Sequence, residues 1–250
     1  MRLGALQIVG IDCAVDPRNV GVCRAVLLEG RLTLLEVVSG LDDVEIAARF
    51  STWLLEVPRA LLALDAPLGW PVPLAEELLE HRAGESLPRE ANELFRRRTD
   101  DVVAERLGKR PLDVGADRIA RTAHASLELL RELRWSTRLA IPLAWTPGPP
   151  ARTSAIEVYP AATLKAYGMP SSGYKGGANF ESRRRIVETL DRLVEMPGSV
   201  AAELVRSDHL LDAGVCTLAA ADFVSGEVIA PVDLRRAKRE GWIWVREPGV

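Results

Sequence analysis

The chain contains three short apolar runs that each end on, or next to, a carboxylate. The carboxylates are Asp12, Asp65 and Glu157. Runs of this length that are rich in β-branched residues, such as residues 6–11, are typical of strands buried on both faces of a sheet. A charged residue at the end of a buried strand is costly unless it is paired or bound to a metal. The pattern therefore predicts three strands that share one acidic site.

Alternating and periodic stretches predict the elements between these strands. Residues 20–28 and 32–38 alternate as two strands, and the short connections imply an antiparallel meander. A helix over residues 44–55 follows, capped by Leu41-Asp42-Asp43. With the strand at 60–64, the first part of the chain has the order β-β-β-α-β.

Residues 67–152 differ from the rest of the chain, because helical patterns dominate there and strands are absent. The predicted helices cover residues 73–82, 91–107 and 116–133. A helical insertion between two core strands is expected to form a cap over the site at the strand ends. We therefore expect residues 1–250 to form one domain, with a helical cap insertion at about 67–152.

The last long helix, predicted over residues 207–222, consists mostly of small and apolar residues and must pack closely on the sheet. Asp208 and Asp212 are four residues apart, so they lie on one face of this helix. Its first turns can therefore bring Asp212 to the strand ends. His209 can shuttle a proton or bind metal, although a single histidine at a helix start more often only forms hydrogen bonds. Residues 241–246 alternate like a possible terminal edge strand.

Four carboxylates that meet at the strand ends would repel one another without a cation. They are Asp12, Asp65, Glu157 and Asp212. Oxygen-ligated Mg²⁺ or Mn²⁺ resolves that repulsion, and paired ions about 3.5–4 Å apart promote attack of water on a phosphodiester. Asp208 is a further candidate ligand, although its place after Ser207 also suits a residue that caps the helix.

Five motifs spread along the chain resemble a known family as a set. They are GIDCA at 10–14, LDAPLGWP at 64–71, RRRTD at 96–100, EVYPAA at 157–162 and DHLLDA at 208–213. With the element order, they resemble a family of predicted nucleases of ribonuclease H-like fold that is described as a domain of unknown function. Its acidic motifs are similar to those of Holliday-junction resolvases, in which acids on the first strand, the fourth strand and the last helix bind metal.

The resemblance implies an α/β fold in which helices flank a mixed five-stranded sheet, with the helical insertion between strands 4 and 5. It also implies that Asp12, Asp65 and Asp212 are metal ligands. Glu157, on the fifth strand, departs from the usual placement, so it can be a ligand, a general base or a structural residue. These four acids are the candidate catalytic residues.

Basic side chains are candidates for contacts to a substrate phosphate. Arg96, Arg97 and Arg98 cover nearly a full helical turn, so at least one should face inward, where a guanidinium can hold a phosphate bidentately. The alternative is a set of surface ion pairs with neighbouring acids. The candidates for substrate binding are Arg96, Arg98, Arg121 and Lys175, of which the last lies in a glycine-rich loop.

Composition limits the classes of function. The 250 residues include 48% hydrophobic and 27% charged residues, which is typical of soluble globular proteins, and no apolar run approaches the roughly 20 residues of a membrane helix. We expect a cytoplasmic protein with no membrane partner. The three cysteines have no paired spacing, which argues against a zinc site or a disulfide framework.

The net charge of −3 argues against a broad basic surface for long duplex DNA. We therefore expect a metal-dependent nuclease or phosphodiesterase that acts on structured RNA, branched or short DNA, or a nucleotide. One alternative is an ATP-dependent phosphotransferase of related fold, although Cys13-Ala14 follows Asp12 where such enzymes usually have glycine and hydroxyl residues. Another is a non-catalytic binding protein that retains the acids. The sequence does not fix the oligomeric state.

Overall fold

The computed structural model of the protein describes residues 4–40, 46–115 and 117–249. The predicted cap Leu41-Asp42-Asp43 and the predicted helix start at Ala116 lie outside the described residues. None of the helices described is long and apolar enough to cross a membrane.

Five strands in the described part of the chain form one mixed sheet. They are β1 (Leu6–Asp12), β2 (Gly21–Leu28), β3 (Arg31–Ser39), β4 (Ala60–Asp65) and β5 (Ser154–Val158). The sheet has the order β3-β2-β1-β4-β5. Strand β2 pairs antiparallel with both β1 and β3, whereas β4 is parallel to both β1 and β5. This is the mixed five-stranded sheet that the resemblance to the ribonuclease H-like fold implies.

The register of the parallel strands decides which acids can meet. Asp12 at the end of β1 lies beside Asp65 at the end of β4, whereas Glu157 of β5 lies beside Leu64. Successive side chains of a strand point to opposite faces of the sheet. Asp12 and Asp65 therefore share one face, and Glu157 points to the other.

Helices cover both faces of this sheet. Those in the described residues are α1 (Ile46–Leu55), α2 (Val72–Leu78), α3 (Ala91–Phe95), α4 (Arg98–Leu107), α5 (Asp117–Thr137), α6 (Pro160–Ala166), α7 (Phe180–Leu190), α8 (Gly198–Arg206), α9 (Asp208–Ser225) and α10 (Leu234–Glu240), with a short 3₁₀ turn at Pro17–Asn19. One core lies between the sheet and α9, with α6, α7 and α8 around that helix. The other lies between the sheet and the pair α1 and α5.

The contact between β1 and α9 is unusually close because β1 has a glycine at its centre. A Cβ on Gly10 would lie 2.1 Å from the carbonyl oxygen of Ala213 and 2.8 Å from Cγ2 of Thr217. Only a residue without a side chain lets the helix backbone approach the strand so closely. The packing fixes the start of α9 against the end of β1.

The helices of the predicted insertion at about 67–152 pack at different places around the core. Helix α5 packs on the sheet through Leu130 and Leu133, whereas α4 contacts α6 and α10. The helix predicted over 91–107 is wrong as a single element, because Arg97 is extended and separates α3 from α4. Its backbone N–H donates to the Asp100 carboxylate at 2.9 Å, which caps α4.

The possible terminal edge strand at 241–246 is reduced to an isolated bridge beside β5. Trp244 N–H donates to the carbonyl of Glu157 at 2.9 Å. The preceding N–H, of Ile243, donates instead to Oγ1 of Thr99 at 2.8 Å. Because the segment divides its hydrogen bonds between β5 and α4, it does not extend the sheet as a regular strand.

Candidate metal centre

Three aspartates from separate elements meet at the ends of β1 and β4. Asp12, Asp65 and Asp212, which we call the aspartate cluster, each offer a carboxylate oxygen, and these oxygens all lie within 4.8 Å of one another. The sheet register brings the first two together, and the close packing of α9 on β1 brings the third. The structure thus brings together three of the four acids predicted to share a site.

Burial makes the aspartate cluster costly to ionise. It raises the pKa of Asp12 to about 6, and a hydrogen bond from His209 offsets only part of this effect. Burial also raises the pKa of Asp65 well above its usual value, and the charges of Asp12 and Asp212 act in the same direction. Burial again raises the pKa of Asp212, against the opposing charge of Lys175. Such a cluster is stabilised by a bound cation.

Lys175 reaches the aspartate cluster from the solvent side. Its Nζ lies 2.7 Å from Oδ2 of Asp212, and the side chain is 61% exposed whereas that of Asp212 is 1% exposed. Partial desolvation lowers the pKa of Lys175, but the charges of Asp212 and Asp65 outweigh this and raise it overall. Its neighbour Tyr174 donates its hydroxyl to Oδ1 of Asp212 at 2.8 Å. Among the predicted substrate-binding residues, Lys175 is the one in contact with the cluster.

His209 is a site residue that the sequence indicated only weakly. Its Nδ1 lies 2.6 Å from Oδ2 of Asp12, and this hydrogen bond raises the pKa of His209. The side chain hydroxyl of Ser207 caps α9 by accepting from the N–H of Leu210, which places His209 in the first turn of the helix. The sequence analysis considered it only as a histidine at a helix start. Its position three residues before Asp212 is a signal that could have strengthened the prediction, since i and i+3 lie on one face of a helix.

Glu157 does not join the aspartate cluster, which corrects the expectation of a shared site for four acids. Its Oε1 lies 2.8 Å from Nη1 of Arg97, and its Oε2 accepts the N–H of Leu68 at 3.0 Å. Burial raises the pKa of Glu157, and the charge of Arg97 opposes that shift. The physical reason for its position is the register, which turns Glu157 to the face opposite Asp12.

Asp208 is also outside the cluster, which corrects its assignment as a metal ligand. Its Oδ2 accepts the backbone N–H of Gly176 at 2.7 Å. The bond ties the start of α9 to the loop that carries Lys175. Asp208 therefore holds the loop, and Ser207 rather than Asp208 caps the helix.

The predicted arginines lie away from the cluster. Arg96 pairs with Asp113 at 3.4 Å, Arg98 pairs with Glu105 at 3.3 Å, and Arg121 is exposed on α5. Arg96 and Arg98 line a cavity of about 370 Å³ with Arg89 and Arg236. Of Arg96, Arg97 and Arg98, the one that faces inward is Arg97, whose guanidinium forms ion pairs with Asp100 and Glu157. In the part of the chain that the structure describes, these arginines do not contact the cluster.

The donor set of the aspartate cluster fits a hard divalent cation. All three candidate ligands are carboxylate oxygens, which suit Mg²⁺, Mn²⁺ or Ca²⁺ better than softer ions. Asp65 has no hydrogen-bond partner among the described residues. Its carboxylate is therefore available to a ligand at the point where Asp12 and Asp212 converge.

Comparison with known proteins places the chain in a family. The solved structure of T. thermophilus RuvC in complex with a Holliday junction substrate is weakly similar, with 13% sequence identity and a TM-score of 0.30 over 84% of this chain and 94% of that chain. No curated protein sequence matches the chain. The family model described as "Protein of unknown function (DUF429)" matches residues 10–236, which confirms the resemblance seen in the motifs: the chain belongs to this family.

Proposed function

We propose that the protein is a divalent-metal-dependent phosphodiesterase that acts on nucleic acid or a nucleotide. The observation that carries the proposal is the convergence of Asp12, Asp65 and Asp212 within 4.8 Å at the ends of adjacent strands. Buried carboxylates in that arrangement are unfavourable unless a cation is bound. Their all-oxygen chemistry favours Mg²⁺ or Mn²⁺.

Each residue of the site has a role in this proposal. Asp12, Asp65 and Asp212 hold the ion, which when bound supplies a Lewis acid and lowers the pKa of the attacking water. His209 donates from Nδ1 to Asp12 and fixes the direction of that carboxylate, as outer hydrogen bonds do at metal centres. Lys175 extends to the solvent side of Asp212, where its ammonium can contact a substrate phosphate.

The arginine-lined cavity offers a second set of contacts for a phosphate backbone. Arg89, Arg96, Arg98 and Arg236 line it together with the acids Glu93 and Asp101. Because these arginines are partly neutralised by nearby acids and the net charge of the chain is −3, the proposal favours short, branched or structured nucleic acid over long duplex DNA.

The first test is calorimetric titration of Mn²⁺ into wild type and three variants, Asp12→Asn, Asp65→Asn and Asp212→Asn. We expect wild type to bind and each variant to bind at least about tenfold more weakly, because each loses an anionic ligand. Asp191→Asn is the control, since Asp191 is an exposed aspartate outside the cluster, and it should keep wild-type affinity. Failure of wild type to bind Mn²⁺ at millimolar concentration would overturn the proposal.

The second test is hydrolysis. Bis(p-nitrophenyl) phosphate serves as a general phosphodiester, followed by an RNA hairpin, a four-way DNA junction and a linear DNA duplex of matched length. We expect Mn²⁺-dependent turnover that Asp12→Asn abolishes while its circular dichroism spectrum stays that of wild type. Equal turnover by Asp12→Asn would assign the activity to another site or to a contaminant.

A further inference from the structure

The ammonium of Lys175 is already a cation in contact with the aspartate cluster. It lies 2.7 Å from Asp212, and its charge also acts on Asp12 and Asp65. We infer that the centre takes one divalent ion and that Lys175 supplies the positive charge which a second ion would otherwise bring. The inference rests on the proposed function and specifies how that site meets its substrate.

Several oxygen atoms of the aspartate cluster already have protein partners. Of the six carboxylate oxygens, Oδ2 of Asp12 is hydrogen-bonded to His209 and Oδ1 of Asp212 accepts from Tyr174. Oδ2 of Asp212 is ion-paired with Lys175 at 2.7 Å but has no hydrogen-bond partner among the described residues. Oδ1 of Asp12 and both oxygens of Asp65 remain. Mg²⁺ is usually held by one or two carboxylates, with waters completing its octahedral shell. Three open oxygens from two residues, with a further share of Asp212, suit a single ion.

The charges lead to the same stoichiometry. One divalent ion and the Lys175 ammonium together match the three carboxylates of the cluster. A second divalent ion would leave an excess of two positive charges in the cluster, close to His209, whose Nδ1 lies 2.6 Å from Asp12. Uncompensated like charges at this range repel strongly in a partly buried site. Lys175 therefore disfavours a second ion as well as replacing it.

The loop that carries Lys175 is fixed in place. The buried guanidinium of Arg183 donates from Nη1 to the carbonyls of Tyr174 and Gly176, each at 2.7 Å. The N–H of Gly176 donates to Asp208, and Tyr174 donates its hydroxyl to Asp212. These contacts hold the residues on both sides of Lys175. The ammonium is thus positioned by its loop, with its exposed side toward an incoming phosphate.

The inference is tested first without substrate, by comparing wild type with Lys175→Met, Lys175→Arg and the control Lys165→Met, which removes an exposed lysine on α6. Mn²⁺ stoichiometry and affinity are measured by calorimetry, and melting temperature is measured with chelator and with saturating Mn²⁺. Because Lys175 is largely exposed, Lys175→Met should fold. Hydrolysis of bis(p-nitrophenyl) phosphate is then compared among the same proteins.

We expect one Mn²⁺ per wild-type chain. Lys175→Met should bind its first Mn²⁺ about tenfold more tightly, because the repelling ammonium is gone, and yet hydrolyse more slowly. In chelator it should melt below Lys165→Met, and saturating Mn²⁺ should reduce that gap. Lys175→Arg, which keeps the charge, should stay close to wild type in Mn²⁺ affinity.

Two results would overturn the inference while leaving the proposed function intact. One is two Mn²⁺ per wild-type chain with affinity that depends on the aspartate cluster. The other is weaker Mn²⁺ binding by Lys175→Met, which would make Lys175 only a structural support of the loop. Wild type that binds no Mn²⁺ would overturn the metal centre itself, and this outcome is distinct from both.

Discussion

Nη1 of Arg97 lies 2.8 Å from Oε1 of Glu157 and 3.0 Å from Oε2, and the side chains are only 1% and 3% exposed. The same guanidinium pairs with Asp100 at 2.7 Å and donates to the carbonyl of Glu240 at 3.3 Å. The pair therefore joins β5 to the start of α4 and the end of α10. Both charged side chains therefore serve to hold these elements together.

We expect the Arg97–Glu157 ion pair to contribute to the free energy of unfolding but not to Mn²⁺ affinity. Arg97→Met leaves Glu157 and Asp100 buried without their cation, and we expect a loss of about 3–5 kcal/mol in the free energy of unfolding. Glu157→Gln keeps the shape and the acceptor for Leu68 N–H, so it should cost less and leave Mn²⁺ affinity at the wild-type value. Urea unfolding and calorimetry measure the two quantities. If folded Glu157→Gln lost Mn²⁺ binding, Glu157 would have to be part of the metal centre.

The sequence predicted the sheet and the aspartate cluster because both follow from short-range patterns. Apolar runs that end on Asp12 and Asp65 identify the strands, and parallel neighbours bring their ends together. Alternation along β5 places Glu157 on the face opposite Ile156 and Val158, whose side chains enter the core beneath α9, but it does not say which of these faces Asp65 shares. The missing information was the register between β4 and β5, which long-range packing sets.

The partners of the arginines and of Lys175 could not be predicted from the sequence. Arg97 has an extended backbone in a stretch with helical periodicity, because a buried ion pair overrides local propensity there. Lys175 reaches Asp212 from a loop whose backbone is held in part by Arg183, eight residues later. Contacts of this kind depend on the tertiary structure and leave no periodic signal.

Close packing at Gly10 gives a second prediction. A methyl group there would overlap the carbonyl of Ala213, so Gly10→Ala must push α9 away from β1. We expect a loss of at least about 2 kcal/mol in the free energy of unfolding, together with weaker Mn²⁺ binding because Asp212 moves with the helix. Chemical denaturation and calorimetry check the two effects.

Gly214→Ala on the same helix is the control for Gly10→Ala. Its Cβ would lie 3.3 Å from the end of the flexible Leu204 side chain, and alanine favours the helix. Stability should therefore change by no more than about 1 kcal/mol. If Gly10→Ala were as stable as Gly214→Ala, β1 and α9 would have to be farther apart than the structure places them.

The loop that carries Lys175 gives a third prediction, measured by limited proteolysis. The guanidinium of Arg183 donates to the carbonyls of Tyr174, Gly176 and Val205, the last also at 2.7 Å. Arg183→Met removes these bonds and should release the loop, so that trypsin cleaves after Lys175 at least about tenfold faster than in wild type. Mass spectrometry identifies the cut. Arg184→Met, at an exposed neighbour, should leave the rate unchanged, and equal rates in both variants would contradict the role of Arg183.

At the far end of α9, Asp222 predicts a pH dependence of stability. Tyr167 donates its hydroxyl to Oδ1 of Asp222 at 2.6 Å, Arg246 donates to the same oxygen at 2.9 Å, and Oδ2 has no hydrogen-bond partner among the described residues. Burial raises the pKa of Asp222 from 3.8 to about 6, against these hydrogen bonds. The folded protein therefore holds this proton more tightly than the unfolded chain does.

Protonation of Asp222 thus stabilises the folded state, and its contribution is fully present below the unfolded pKa and is lost as the pH rises through about 6. The shift corresponds to about 3 kcal/mol. In chelator, the free energy of unfolding of wild type relative to Asp222→Asn should therefore fall by about this amount between pH 3 and pH 7. Asp191→Asn, at an exposed site, is measured in parallel as the control for removal of an aspartate charge. Parallel profiles for wild type and Asp222→Asn would mean that the carboxyl of Asp222 ionises as freely in the folded protein as in the unfolded chain, and the burial argument would fail.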